Sequence, residues 1–255
     1  MSLQATLDQL TLNVDTSHRG DCPACGGRNT FTVTRGIGGI LYNCYKNTCR
    51  LSGKSDRPIT IADLSNMKEN TKRKDAVFFE PDHWTRTHPS MNTWLKQYDL
   101  NAKRVDTRYD VKEDRVVFLV KKERKIVDAT GRFVGRNVQY ATKWKRYGET
   151  QVPYVYGEGT IAVVVEDCIS AAVVGEMENL VGFALLGTNL LAPYIDYLKP
   201  YAKIIVALDP DAKRKTLQIT STLRTTFPDV FALNLHDDIK YRTPSDMAHL
   251  ERFAG

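Results

Sequence analysis

Two groups of side chains in this chain have types and spacings that do chemistry. The first is Cys22-Pro23-Ala24-Cys25 followed, after eighteen residues, by Cys44-Tyr45-Lys46-Asn47-Thr48-Cys49. Two close cysteine pairs joined by a hairpin present four thiolates to one ion. That is the closed tetrahedral shell of a structural Zn²⁺ site, with no open position for catalysis. Gly26 and Gly27 let the chain turn back around the ion. Four unrelated reduced thiols are the alternative, and they leave the paired spacing unexplained. His18 is a spare surface histidine, because four thiolates fill the shell. The fifth cysteine, Cys168, has no histidine partner in view and reads as a buried packing thiol.

The second group is acidic. Glu166 directly follows the apolar run Ile161-Ala162-Val163-Val164-Val165, and Asp209-Pro210-Asp211 directly follows Lys203-Ile204-Ile205-Val206-Ala207-Leu208. One D-x-D alone is weak, since acids at strand ends are often helix N-caps. Acids at two matching strand ends are a stronger pattern. Close carboxylates repel, and their oxygens are what Mg²⁺ or Mn²⁺ takes. Such ions bridge triphosphate oxygens and help an attacking hydroxyl lose its proton. A third set is basic and aromatic. Residues 115–146 carry a net +8 together with Phe118, Phe133, Tyr140, Trp144 and Tyr147, a mixture that grips phosphates and stacks unpaired bases. Lys121, Lys122, Arg124 and Lys125 crowd one turn and read as a solvated face.

These groups need elements to position them. Residues 15–56, rich in Gly, Thr and Cys, suit a β-rich ribbon with strands at Thr30–Thr34 and Ile40–Asn43 around a turn at Gly36–Gly39. Residues 57–75 are polar and lysine-rich, with one short helix expected at Ile61–Lys68, and read as a flexible linker. Residues 76–157 form a basic subdomain with strands at Val116–Val120 and Lys125–Asp128, and a turn is expected at Asp128–Arg132. Residues 158–250 alternate apolar strands (161–165, 181–186, 203–208, 230–235) with helices (169–179, 190–198, 213–226). Strands apolar throughout imply a parallel sheet covered on both faces, whose carboxyl ends form the ligand crevice. The fold class expected is α/β: a zinc ribbon, a mixed α+β basic subdomain and a Rossmann-like parallel sheet.

Net charge separates the parts. Residues 76–157 carry +6 and residues 158–255 carry −4, within a total of +6; a polyanion held beside metal-binding carboxylates accounts for both signs. No apolar run approaches the ~20 residues of a membrane helix, and the first residues lack the basic start and apolar stretch of a secretory signal, so a cytoplasmic protein with no membrane partner is expected. Gly53-Lys54-Ser55 imitates the end of a phosphate loop, but the glycine required five residues earlier is Thr48.

Val163-Val164-Val165-Glu166 followed by a helix, with Val206-Ala207-Leu208-Asp209-Pro210-Asp211, resembles the TOPRIM domain shared by DnaG-type primases, type IA and II topoisomerases and some nucleases. With the ribbon upstream, Asp114-Arg115-Val116-Val117-Phe118, Thr130-Gly131-Arg132 and Lys143-Trp144-Lys145-Arg146-Tyr147-Gly148, the order of parts is similar to bacterial and bacteriophage primases, above all the primase half of phage primase–helicases. The resemblance covers about residues 15–250. It implies a DNA-directed RNA polymerase that makes short RNA primers from NTPs on single-stranded DNA during replication, in host cytoplasm if phage-encoded, beside a separate replicative helicase and DNA polymerase. It implies one structural Zn²⁺ on Cys22, Cys25, Cys44 and Cys49, and catalytic Mg²⁺ or Mn²⁺ on Glu166, Asp209 and Asp211, with Glu166 either a metal ligand or the acceptor of the hydroxyl proton. Nucleotide and template contacts fall to Arg115, Arg132, Lys143, Lys145 and Arg146. Many relatives carry a second acid four residues after the glutamate, where this chain has Ser170, and a late acid that Asp237, Asp238 or Asp246 could supply. A TOPRIM nuclease and a non-enzymatic zinc/TOPRIM recombination mediator binding DNA are the competing readings.

Overall fold

The computed structural model describes residues 3–10, 12, 16–36, 39–56, 78–136 and 142–254. It divides into two compact units, Met1–Asp75 and Ala76–Gly255. The expected linker at 57–75 and its helix lie outside the described residues.

The first unit is a short helix, α1 (Leu3–Gln9), and one antiparallel sheet of β1 (Thr16–Gly20), β2 (Phe31–Gly36), β3 (Gly39–Cys44) and β4 (Ser52–Ser55), in that order. The hairpin is where the sequence places it. The two outer strands are additional, and Gly53-Lys54-Ser55 belongs to the last of them. Among the described residues the buried core is Leu7, Phe31, Val33 and Ile40 with Cys22 and Cys44, and half-buried side chains such as Leu3, Leu10, Tyr42 and Leu51 pack against it. So few apolar side chains do not stabilise a domain of this size without a metal or another staple.

The second unit carries two sheets. The first is antiparallel: β5 (Trp84–Thr85), then, after α2 (Pro89–Lys96) and α3 (Ala102–Val105), β6 (Thr107–Asp110), β7 (Arg115–Lys122), β8 (Lys125–Phe133) and β9 (Trp144–Arg146). The turn between β7 and β8 is Glu123–Arg124, both with positive φ. The turn expected at Asp128–Arg132 is instead strand: β8 runs through it to Phe133, pairing Thr130 with Phe118 and Gly131 with Val117. Gly131 is there for room, since a Cβ would stand 2.8 Å from the Tyr147 ring.

The second sheet has the order β10 (Tyr154–Tyr156), β12 (Leu180–Ala184), β11 (Ile161–Val165), β13 (Lys203–Val206) and β14 (Val230–Ala232). All pairs are parallel except β10 with β12. Helices α4 (Cys168–Val174), α5 (Tyr194–Leu198), α6 (Lys213–Arg224) and α7 (Pro244–Ala254) complete it. Alternation along β11 explains its unbroken apolarity. Val163 and Val165 enter one core with α4 and with Val116, Phe118 and Val120 of the antiparallel sheet, while Ala162 and Val164 enter a second core with Tyr194, Leu198, Ile219 and Leu223. One core therefore spans residues of both sheets. Cys168 is fully buried in it. Helix α4 lies so close on β12 that a Cβ at Gly182 would sit 1.9 Å from the Ala171 carbonyl oxygen. Among the described residues, no helix is long and apolar enough to cross a membrane.

Candidate metal centre and active site

The four cysteines converge. Their sulfurs all lie within 4.8 Å of one another, with Cys22–Cys49 at 3.9 Å and Cys25–Cys44 at 3.8 Å. Bonds of about 2.3 Å to a tetrahedral ion put sulfurs ~3.8 Å apart, so the cluster has the spacing of a Zn²⁺ shell, and all five cysteines are unbridged. The first knuckle is closed by Gly26 N–H donating to the Cys22 carbonyl and Cys22 N–H donating to Gly27, with Gly26 in the left-handed region at φ 64°. A hydrogen bond from Thr30 pulls the Cys44 thiol down to about 6. At Cys49 a backbone hydrogen bond from Leu51 pulls the same way, but burial and the neighbouring thiols push it up to about 11. On the ribbon's surface Tyr45 is 61% exposed with the Arg19 guanidinium 5.6 Å from its ring centre, whereas Phe31 is core.

The acids lie in the second unit. Glu166 leaves β11 and Asp209 leaves β13 at the same sheet edge, and both line a cavity of about 190 Å³ with Lys143, Trp144, Asp167 and Gly187. Burial, then the charge of Asp209, pushes the Glu166 carboxyl up to about 7, and its Oε1 is buried without a hydrogen-bond partner. Burial pushes Asp209 up to about 6; Lys240 opposes this, and Asp238, Asp167 and Asp211 add to it. Asp211 is exposed on the 3-10 turn Pro210–Ala212, close enough to act on both. Among the described residues, only the four cysteines bring three or more ligand atoms within 4.8 Å of one another. This looser arrangement suits Mg²⁺, which keeps waters and takes one or two carboxylates plus substrate phosphates.

The five basic residues separate. Lys143 is exposed at the cavity, and the Arg132 guanidinium lies 5.8 Å from the ring centre of Trp144, a cavity wall, with its Nε buried and unpartnered. Arg115 is buried and donates to Glu113 at 3.0 Å, to the Thr142 carbonyl at 3.0 Å and to the Gly131 carbonyl at 3.3 Å. Lys145 pairs with the other oxygen of Glu113. Arg146 donates to Asp128 and to the Val152 carbonyl.

The late acids also separate. Asp246 is fully buried and accepts the backbone N–H groups of His236 and Asp237 as well as His236 Nδ1 at 2.7 Å, so it anchors the loop before it. Asp237 is exposed. Asp238 faces the cluster through Lys240 and its charge on Asp209. Ser170 is fully buried. Two members of the cluster were not singled out by sequence, Asp167 and Lys240. The Glu-Asp pair at the strand end was a signal for Asp167; nothing local pointed to Lys240.

No protein-family model matches the sequence, and no curated protein matches it. Solved structures do. The chain is similar to the primase fragment of the bacteriophage T7 primase-helicase protein, with 13% identity over 93% of this chain and 98% of that one and a TM-score of 0.48. It is similar to the Escherichia coli primase catalytic core, with 18% identity over 76% and 74% and a TM-score of 0.43. The RNA polymerase domain of Mycobacterium tuberculosis primase DnaG is a third, with 14% identity over 76% of each chain and a TM-score of 0.44.

Proposed function

We propose that this chain is a DNA primase, a DNA-directed RNA polymerase that joins NTPs into short RNA primers on single-stranded DNA. One observation carries the reading. Glu166 and Asp209, delivered by the ends of two parallel strands, line one cavity together with Lys143 and Trp144. Carboxylates for a divalent ion thus meet a phosphate-binding cation and a base-stacking ring.

Asp209, Asp211 and Glu166 are the residues that would hold Mg²⁺ or Mn²⁺. When bound, the ion supplies neutralisation of triphosphate charge and acidifies the attacking hydroxyl. The chain's own groups do the rest. Lys143 and Arg132 draw the incoming triphosphate to the cavity, and Trp144 offers its face to a base. The 3′-hydroxyl of one nucleotide attacks the α-phosphorus of the other, its proton leaves to a base, and pyrophosphate departs. Glu166, with its carboxyl near 7 before an ion binds, can take that proton or bind the ion. Holding the two nucleotides in place replaces the stable primer that they lack.

The ribbon's part is template binding, with Tyr45 stacking an unpaired base beside Arg19. The tested system is the full chain with single-stranded DNA, labelled NTPs and Mg²⁺ or Mn²⁺. Short oligoribonucleotides support the proposal. Cut DNA supports a TOPRIM nuclease instead, and binding with neither product a recombination mediator.

A further inference from the structure

We propose that the Lys240 ammonium is a resident cation between Asp167 and Asp238, standing where a second divalent ion would otherwise bind, so that the cleft takes one divalent ion, on its Glu166–Asp209 side. This rests on the reading of the cleft as a metal-dependent nucleotidyl-transfer site.

Five acids act on this edge of the sheet: Glu166, Asp167, Asp209, Asp211 and Asp238. Lys240, on the 3-10 turn Ile239–Tyr241, is only 8% exposed and reaches into them. Its Nζ lies 2.5 Å from Asp238 Oδ2 and 3.5 Å from Asp167 Oδ2. Burial works against its charge, yet Asp167, Asp238 and Asp209 hold it well above the usual lysine range.

Both carboxylates are committed to it. Asp167 Oδ1 caps α4, accepting from Ile169 N–H at 3.0 Å and Ser170 N–H at 2.9 Å, which leaves Oδ2 to turn toward a cation. Asp238 begins the turn that bears Lys240, and Arg242 pins the far end of that turn to Glu176 at 3.2 Å. An ammonium and a dication repel too strongly to share the same two oxygens. The other side of the cluster is left for an ion, with Glu166 Oε1 buried and unpartnered and Asp211 exposed.

The test counts Mn²⁺ bound by the full, zinc-loaded chain without nucleotide, from the paramagnetic resonance signal of the free ion. Mn²⁺ ranks below Zn²⁺ in affinity and leaves the thiolates occupied. Wild type should bind one Mn²⁺ per chain, K240Q two, K240R one and K240Q/D238N one. D167N keeps the helix cap and should still bind one, which carries the test should K240Q not fold. Two ions in wild type, one in K240Q, two in K240R, two in K240Q/D238N or none in D167N would each overturn the proposal. Two ions in a wild type that still makes primers overturns this inference alone. No ion in wild type overturns the catalytic reading and the inference with it.

Discussion

Arg146 Nε donates at 2.8 Å to Asp128, a carboxylate with no exposure that also accepts Thr150 Oγ1 at 2.8 Å and Gly148 N–H at 2.7 Å. The arginine is thereby occupied in joining β8 to the segment after β9. Removing it leaves a buried carboxylate without its cation, a loss of about 3–5 kcal/mol. Arg146→Ala should lower the thermal midpoint by on the order of 10 °C. Lys143→Ala should leave the midpoint unchanged, weaken template or nucleotide binding and reduce the salt slope by about one. Calorimetry beside a salt-dependent binding titration checks both, and equal midpoints for the two variants would contradict the division.

One Zn²⁺ per chain is expected by metal analysis. Chelation should unfold the ribbon and expose four reactive thiols, because the apolar core there is too small to hold alone. Cys44→Ser with full zinc content would contradict the site.

Without a divalent ion the acids should make stability fall with rising pH. The folded-state values of Glu166, about 7, and Asp209, about 6, lie above their ordinary 4.5 and 3.8. Protonation is therefore favoured in the fold, and the contribution is complete below about pH 4 and lost as pH rises through 6 to 7. Glu166→Gln should be more stable than wild type at pH 8 in chelator and gain nothing at pH 4. Thermal melts at the two pH values, repeated with Mg²⁺ to shrink the difference, decide it.

The parallel sheet was legible because β11 and β13 are buried on both faces, and the placement of Glu166 and Asp209 at one edge of it because each comes just after such an apolar run. The extent of β8 was not. Asp128-Ala129-Thr130-Gly131-Arg132 has turn composition, but Asp128 and Gly131 serve contacts with Arg146 and Tyr147 across the sheet. The internal partners of Arg115 and Arg146, expected from the resemblance to contact nucleotide or template, were not legible for the same reason: the Thr142 carbonyl and Asp128 lie 27 and 18 residues away and meet them only through tertiary folding. Lys240 is further still, since Asp167 joins it only when α4 and the last 3-10 turn come together.

Primer synthesis by wild type and Asp209→Asn, measured beside template binding, tests the central claim most directly. Asp209→Asn removes charge from the acidic cleft and no contact from the ribbon. Wild type should make oligoribonucleotides that depend on Mg²⁺ or Mn²⁺, while Asp209→Asn binds single-stranded DNA within about twofold of wild type and makes none. Robust synthesis by Asp209→Asn would contradict the account.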